Sequence, residues 1–214
     1  MTTRRIASPL AVFALTVAAC TSLWGQKPRA SLGALPPVVV AAEGLAEDIQ
    51  ADLDTLGWSA ARAKLAQLQA SRSALRASAR YEAALDSLAT QMGRRDRLAA
   101  LVSANGMSRA LLAVAADYDL TVPVQVGLLD VAGRDVIYRA EAGDWQQVSV
   151  SMAELRAQYA AVQAHVATKD ATLNGRLGQR LTALDAAVSA KSATRVRTVA
   201  TGLLDDVDLV ERTY

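Results

Sequence analysis

The sequence predicts an all-α protein, an up-and-down helical bundle of two duplicated four-helix units. Aromatic residues form only 4% of a chain that is 52% hydrophobic, so the apolar content comes mainly from good helix formers. Apolar residues also recur in alternating steps of three and four, which places them on one face of a helix. The clearest stripe comprises Trp145, Val148, Met152, Leu155, Tyr159, Val162 and Val166.

Three further stripes follow the same spacing. They comprise Tyr81, Leu85, Leu88 and Met92; Leu177, Leu181, Leu184 and Val188; and Val196, Val199, Leu203, Val207 and Val210. Each apolar face must pack against other helices to leave water. The stripes therefore predict most of the core.

An internal repeat predicts the duplication, because the segment from Trp58 aligns with that from Trp145 at an offset of about 87 residues. Upstream, Pro37, Val38 and Val40 match Pro123, Val124 and Val126. Within the helices, Trp58, Ala61, Leu65, Leu68 and Leu75 match Trp145, Val148, Met152, Leu155 and Val162. Downstream, Val102, Ser103, Ala104 and Arg109 match Val188, Ser189, Ala190 and Arg195. Chance similarity between two alanine-rich helical stretches is the alternative.

Local signals set the predicted elements in chain order. The first unit, 37–121, is expected to hold helices over 37–56, 59–77, 80–104 and 107–118, and the second unit, 122–214, their counterparts. Gly57 ends the first helix, Asn105 and Gly106 favour a left-handed turn, and Pro123 suits a helix start. Gly143 followed by Asp144 is a C-cap followed by an N-cap. Such short connections predict antiparallel neighbours, as one continuous bundle or two.

The N-terminus has the features of an export signal. Arg4 and Arg5 precede an apolar run over 6–17, and small residues then lead to the one cysteine of the chain. Val17, Ala18, Ala19 and Cys20 resemble the bacterial lipobox. The resemblance implies removal of 1–19 and a diacylglyceryl group on Cys20, followed by a tether over 20–36. An ordinary signal peptide or membrane anchor with an incidental cysteine is the alternative.

The lipobox also implies a location and a first partner, membrane lipid. Thr21 is not the aspartate associated with inner-membrane retention, so the expected location is the outer membrane, facing the periplasm. Each acyl CH₂ buried in the bilayer contributes roughly 0.8 kcal/mol, so two or three chains hold a protein stably. Loss of Arg4 and Arg5 leaves 21 basic and 21 acidic residues, a balance that argues against nucleic acid as a partner.

The sequence contains few of the residue patterns that enzymes use for catalysis. His165 is the one histidine, and its place beside a helical stripe favours a structural role. No GxSxG elbow, CxxCH haem site or phosphate-cradling glycine loop occurs, and Met92, Met107 and Met152 fall in core-like positions. The sequence therefore predicts a protein that is not an enzyme and has no cofactor or metal.

The best polar group for ligand binding comprises Asp130, Arg134 and Asp135. Helical spacing brings Asp130 beside Arg134, and an intrahelical ion pair is the simpler interpretation. Asp205, Asp206 and Asp208 form a second acidic group, for which a solvated helix face is predicted.

The leading functional prediction is a non-enzymatic scaffold lipoprotein that presents a surface to an envelope protein. The alternative is a periplasmic bundle that binds or senses a small ligand or metal ion between its halves. An exposed apolar patch over a filled core would favour the scaffold. A concave cavity with convergent polar side chains would favour ligand binding.

Overall fold

The structure is a computed structural model that describes residues 31–75 and 79–214. The predicted signal peptide, Cys20 and most of the tether lie outside these residues. Within them the chain forms eight helices: α1 (Pro37–Asp54), α2 (Trp58–Ala70), α3 (Ala79–Arg94), α4 (Arg97–Ala115), α5 (Val124–Glu141), α6 (Trp145–Lys169), α7 (Ala171–Ser189) and α8 (Ala193–Glu211). The all-α prediction is confirmed.

Each half of the bundle is a closed ring of four helices. Each of α1 to α4 packs against its sequence neighbour, and α4 closes the ring on α1. The helices α5 to α8 repeat this pattern, with α8 closing on α5. The two rings meet where α4 packs against α5, and the buried apolar side chains form one continuous core across both. The described residues therefore make one packed body rather than two separate bundles.

The predicted stripes form this core. All four members of the stripe from Tyr81 to Met92 are at most 1% exposed. In α6, the stripe from Trp145 to Val166 is buried except for Trp145 and Tyr159, which are half-buried against the core. Periodicity alone predicted these positions because an amphipathic helix has only one face that can leave water.

The prediction of a turn at Asn105 and Gly106 is wrong, because α4 runs through both residues. The break lies earlier, where Arg95 adopts a left-handed φ of 57° and Asp96 accepts a hydrogen bond from the Ala99 amide at 3.1 Å. Asn105 stays helical while its side chain donates to the Val131 carbonyl oxygen at 2.8 Å. A tertiary hydrogen bond thus satisfies the amide that local turn chemistry would otherwise use.

The downstream landmark of the repeat is also wrong as a structural equivalence. Val102 lies inside α4, whereas Val188 lies near the end of α7. The offset changes because α6 has 25 residues and α2 has 13. The helix α2 stops at Ala70, where the Ser71 hydroxyl donates to the Leu68 carbonyl oxygen at 2.9 Å. The paired lengths of α1 and α5, and of α4 and α8, agree with two similar halves, and duplication itself stays a prediction.

Two glycine predictions had different outcomes. Gly143 has a φ of 73°, and Asp144 caps α6 by accepting from the Gln147 amide at 3.2 Å, as predicted. Gly57 does not take the left-handed conformation, because Leu56 before it does, with a φ of 62°. Gly57 instead precedes the first residue of α2.

The helix α4 is long and apolar enough to cross a membrane by length and composition, with a mean hydropathy of 1.5 over its window. More than half of that window is buried within the fold. Its apolarity follows from its position, because α4 packs against α1, α3 and α5.

A cluster of four charged side chains joins the two halves at one end of the central helices α1, α4, α5 and α8. Arg97 contacts Asp54 at 2.8 Å and Glu141 at 3.6 Å. Arg197 contacts the same two carboxylates, Asp54 at 3.7 Å and Glu141 within hydrogen-bond range. These ion pairs thus hold together the ends of the four helices.

Candidate functional site

An acidic cavity lies between the same four central helices. Its volume is about 250 Å³. Five carboxylates and one guanidinium line it. The lining comprises Glu43 and Glu47 from α1; Ser108 and Leu112 from α4; Gly127, Asp130, Val131 and Arg134 from α5; and Asp208 and Glu211 from α8. We call this the junction cavity.

Helical spacing places these side chains. Glu43 and Glu47 lie four residues apart and therefore share one face of α1. Asp208 and Glu211 lie three residues apart on α8 and share a face in the same way. Each carboxylate pair belongs to a different half of the chain, so the cavity exists only because the two rings meet.

Asp130 and Arg134 form the predicted intrahelical ion pair, with Nε and Oδ2 2.7 Å apart. The two side chains are 27% and 16% exposed for Arg134 and Asp130, so the pair lies in the cavity wall rather than on an open surface. One carboxylate is thus neutralised within α5. Glu43, Glu47, Asp208 and Glu211 leave the cavity with excess negative charge.

Burial and this excess negative charge together raise the pKa of three acids of the cavity. Burial raises the pKa of Glu43 to about 7, and the carboxylates of Glu47, Glu211 and Asp130 add to the shift. Partial burial and neighbouring carboxylates likewise raise the pKa of Glu47 and of Glu211. Ionising each of these acids therefore costs more free energy than ionising the same side chain in water, and a nearby cation would lower that cost.

Three buried polar residues lie next to the cavity. The Tyr138 hydroxyl donates to Gln50 Oε1 at 3.2 Å, and Gln50 Nε2 donates to Ser108 Oγ at 3.2 Å. Ser108 also lines the cavity. These bonds connect α5 to α1 and α1 to α4, so they fix the helices that carry the carboxylates.

Asp135, the third residue of the predicted group, lies apart from the junction cavity. Its Oδ1 accepts from Asn105 Nδ2 and its Oδ2 accepts from Arg109 Nη2, both at 2.8 Å. Arg109 also binds Glu154 on α6. One residue along a helix turns a side chain by about 100°, so Asp135 cannot share the face of Asp130 and Arg134. The structure brings two of the three predicted residues together.

The second acidic group does not form one solvated face. Asp205 and Asp208 are exposed as predicted, and Asp208 also lines the junction cavity. Asp206 is 5% exposed and accepts from Arg176 Nε and Nη2 at 3.1 and 2.8 Å. The prediction is wrong for Asp206, because an arginine on α7 gives its carboxylate a buried partner.

The remaining predicted residues have structural positions. The His165 ring stacks on Tyr214 with centroids 3.8 Å apart, and its Nε2 lies 3.3 Å from the Thr213 carbonyl oxygen. Met92, Met107 and Met152 are buried in the core. Among residues 31–75 and 79–214, no three histidine, cysteine or acidic side chains are arranged to hold a metal ion.

The raised pKa of Glu43 predicts a pH dependence of stability. Because the folded protein holds this proton more tightly than the unfolded chain, the contribution is fully present below pH 4.5 and is lost as pH rises through about 7. We expect Glu43→Gln to raise the free energy of unfolding at pH 8 by about 1 kcal/mol and to change it less at pH 5. Urea denaturation at both pH values measures this. Asp205→Asn, which removes a carboxylate outside the cavity lining, is the control, and an equal effect of both variants would contradict the assignment.

Sequence reasoning missed Glu43, Glu47 and Glu211. Their helical spacing is visible in the sequence, but surface acids at such spacing are common. Their significance comes from the packing of α1 against the second half, which no local pattern encodes.

The comparisons with known proteins add no relative. No protein-family model, no curated protein and no solved structure matches the chain. The function of the protein is therefore inferred from the geometry of the junction cavity.

Proposed function

We propose that this protein is a non-enzymatic binding protein whose junction cavity holds the cationic group of a small ligand. The observation that carries the proposal is the convergence of five carboxylates from three helices around one cavity, against one guanidinium. The proposal includes anchoring through Cys20 to a bacterial outer membrane, with the bundle facing the periplasm.

The chemistry of the lining favours an ammonium or guanidinium group. Carboxylate oxygens accept hydrogen bonds from such groups, and charge-assisted bonds of this kind are about twice as strong as neutral ones. Arg134 pairs with Asp130, which leaves the other four carboxylates as acceptors for the ligand, those of Glu43, Glu47, Asp208 and Glu211. Among the described residues, no three histidine, cysteine or acidic side chains are arranged to hold a metal ion, which favours an organic cation as the ligand.

The same observation favours ligand binding over a protein scaffold. A scaffold should have an exposed apolar patch, whereas the large apolar side chains that are exposed within the described part of the chain lie on different elements. They are Leu32 before α1, Val40 in α1, Leu56 after α1 and Val150 in α6. A concave cavity with convergent polar groups was the feature expected of a ligand-binding bundle, and the junction cavity has it.

A titration with n-butylammonium tests the proposal. The purified chain is titrated with this cation at pH 8 and binding is followed by two-dimensional NMR, with n-butyrate as the probe of opposite charge. We expect saturable binding of n-butylammonium alone, and weaker binding at pH 6, where Glu43 is mostly protonated.

Two variants locate the binding. The double variant Glu43→Gln and Glu47→Gln is expected to weaken the affinity at least tenfold, by about 1.4 kcal/mol or more. Asp205→Asn removes the same kind of charge at an exposed site outside the cavity lining, so we expect it to keep the fold and to leave the affinity within twofold. Saturation by n-butyrate as well, or an unchanged affinity in the double variant, would refute the proposal.

A further inference from the structure

A second cavity adjoins the junction cavity. Its volume is also about 250 Å³, and most of its lining is apolar. The residues that it does not share with the junction cavity are Leu35, Leu120, Thr121, Val122, Pro123 and Val124. We call it the apolar chamber.

Backbone pairing shapes the chamber. The Leu32 amide donates to the Asp117 carbonyl oxygen, and the Asp119 amide donates to the Gly33 carbonyl oxygen, both at 2.9 Å. These bonds hold the segment before α1 beside the connection between α4 and α5. Leu35 and Leu120, which follow the paired residues, therefore face a common space.

The two cavities share four lining residues, Glu43, Leu112, Gly127 and Glu211. A Cβ on Gly127 would lie 2.6 Å from Leu112 Cδ2, so the leucine rests directly on bare backbone. Leu112 and Gly127 thus form the boundary between the cavities. Glu43 and Glu211 also line both of them.

We propose that the ligand is an amphipathic amine, with its ammonium group in the junction cavity and a linear apolar chain in the apolar chamber. This inference rests on the proposed function, because the carboxylates position the charged end. The chamber then supplies what the carboxylates cannot, a surface that distinguishes ammonium ions by their chains. Burial of each methylene strengthens binding about fourfold.

A chain-length series tests the inference. Ethyl-, butyl- and hexylammonium are titrated into the purified chain at pH 8. We expect the affinity to rise about fourfold per methylene from ethyl- to hexylammonium.

A filled chamber gives the matched variant. Val122→Phe places a larger side chain in the chamber and leaves every carboxylate in place, so we expect hexylammonium to bind at least tenfold more weakly and ethylammonium to stay within twofold. Val150→Phe, the same substitution at an exposed site on α6, should change neither. Leu120→Phe replaces the test variant if Val122→Phe unfolds.

The outcomes separate the two proposals. Ammonium ions that bind with no dependence on chain length, or equal losses of ethyl- and hexylammonium in the filled chamber, overturn the amphipathic ligand and leave the cation site standing. Failure of every ammonium ion to bind refutes the proposed function, and this inference with it.

Discussion

Replacing Tyr138 with alanine is expected to lower the free energy of unfolding by about 4 kcal/mol. The side chain is 2% exposed and belongs to the continuous core. Its loss leaves a cavity in α5 and removes the donor to Gln50 Oε1, a residue that is itself 1% exposed. Both effects act where the two four-helix rings meet, so guanidinium chloride denaturation should show one transition at a lower midpoint.

A second variant separates the contribution of the aromatic side chain of Tyr138 from that of its hydroxyl group, and a variant at Tyr118 is the control. Tyr138→Phe keeps the packing and loses one hydrogen bond, so a loss of about 1 kcal/mol is expected. Tyr118→Ala, at a half-buried position beyond α4, should cost less than Tyr138→Ala. A similar cost for the two alanine variants would contradict a central role for Tyr138, and two separate transitions would contradict a single packed body.

Replacing Asp135 with alanine is expected to cost about 3 kcal/mol of stability. The carboxylate accepts from Asn105, which is 0% exposed, and from Arg109. After its removal, Asn105 keeps the Val131 carbonyl oxygen as an acceptor and Arg109 keeps Glu154. The loss is therefore smaller than that of an isolated buried charge, and it is measured by the same denaturation experiment.

Asp185→Ala is the matched control for this variant. Asp185 also binds an arginine on another helix, but the side chains of Asp185 and Arg156 are 41% and 51% exposed. Exposed pairs contribute about 0.2–1 kcal/mol, so the control should change stability by less than 1 kcal/mol. Equal losses in the two variants would show that burial of the network around Asp135 does not matter.

The separate roles of Asp130 and Asp135 follow from helix geometry. Asp130 and Arg134 belong to the cavity, whereas Asp135 belongs to a network that joins α4, α5 and α6. Variants of Asp135 should therefore report on stability. Variants of Glu43 and Glu47 should report on ligand binding.

Local pattern predicted the helices better than their ends. The stripe from Tyr81 to Met92 is buried throughout, since its spacing leaves only one face to pack. The turn predicted at Asn105 failed because that side chain bonds to α5 instead of to its own backbone. Leu56 and Arg95 adopt left-handed conformations although neither is glycine, so the residue types at these positions did not predict the helix breaks.

The sequence by itself determined the helical class, the apolar faces and the ion pair between Asp130 and Arg134, because each depends on spacing within one helix. Only the tertiary structure decided that Glu43, Glu47, Asp208 and Glu211 share one cavity. Glu43 and Glu211 are more than 160 residues apart in the sequence, and spacing along one helix does not predict which helices pack together. The physical reason is that the closing of each four-helix ring, and the packing of α4 on α5, depend on the combined burial of all eight apolar faces.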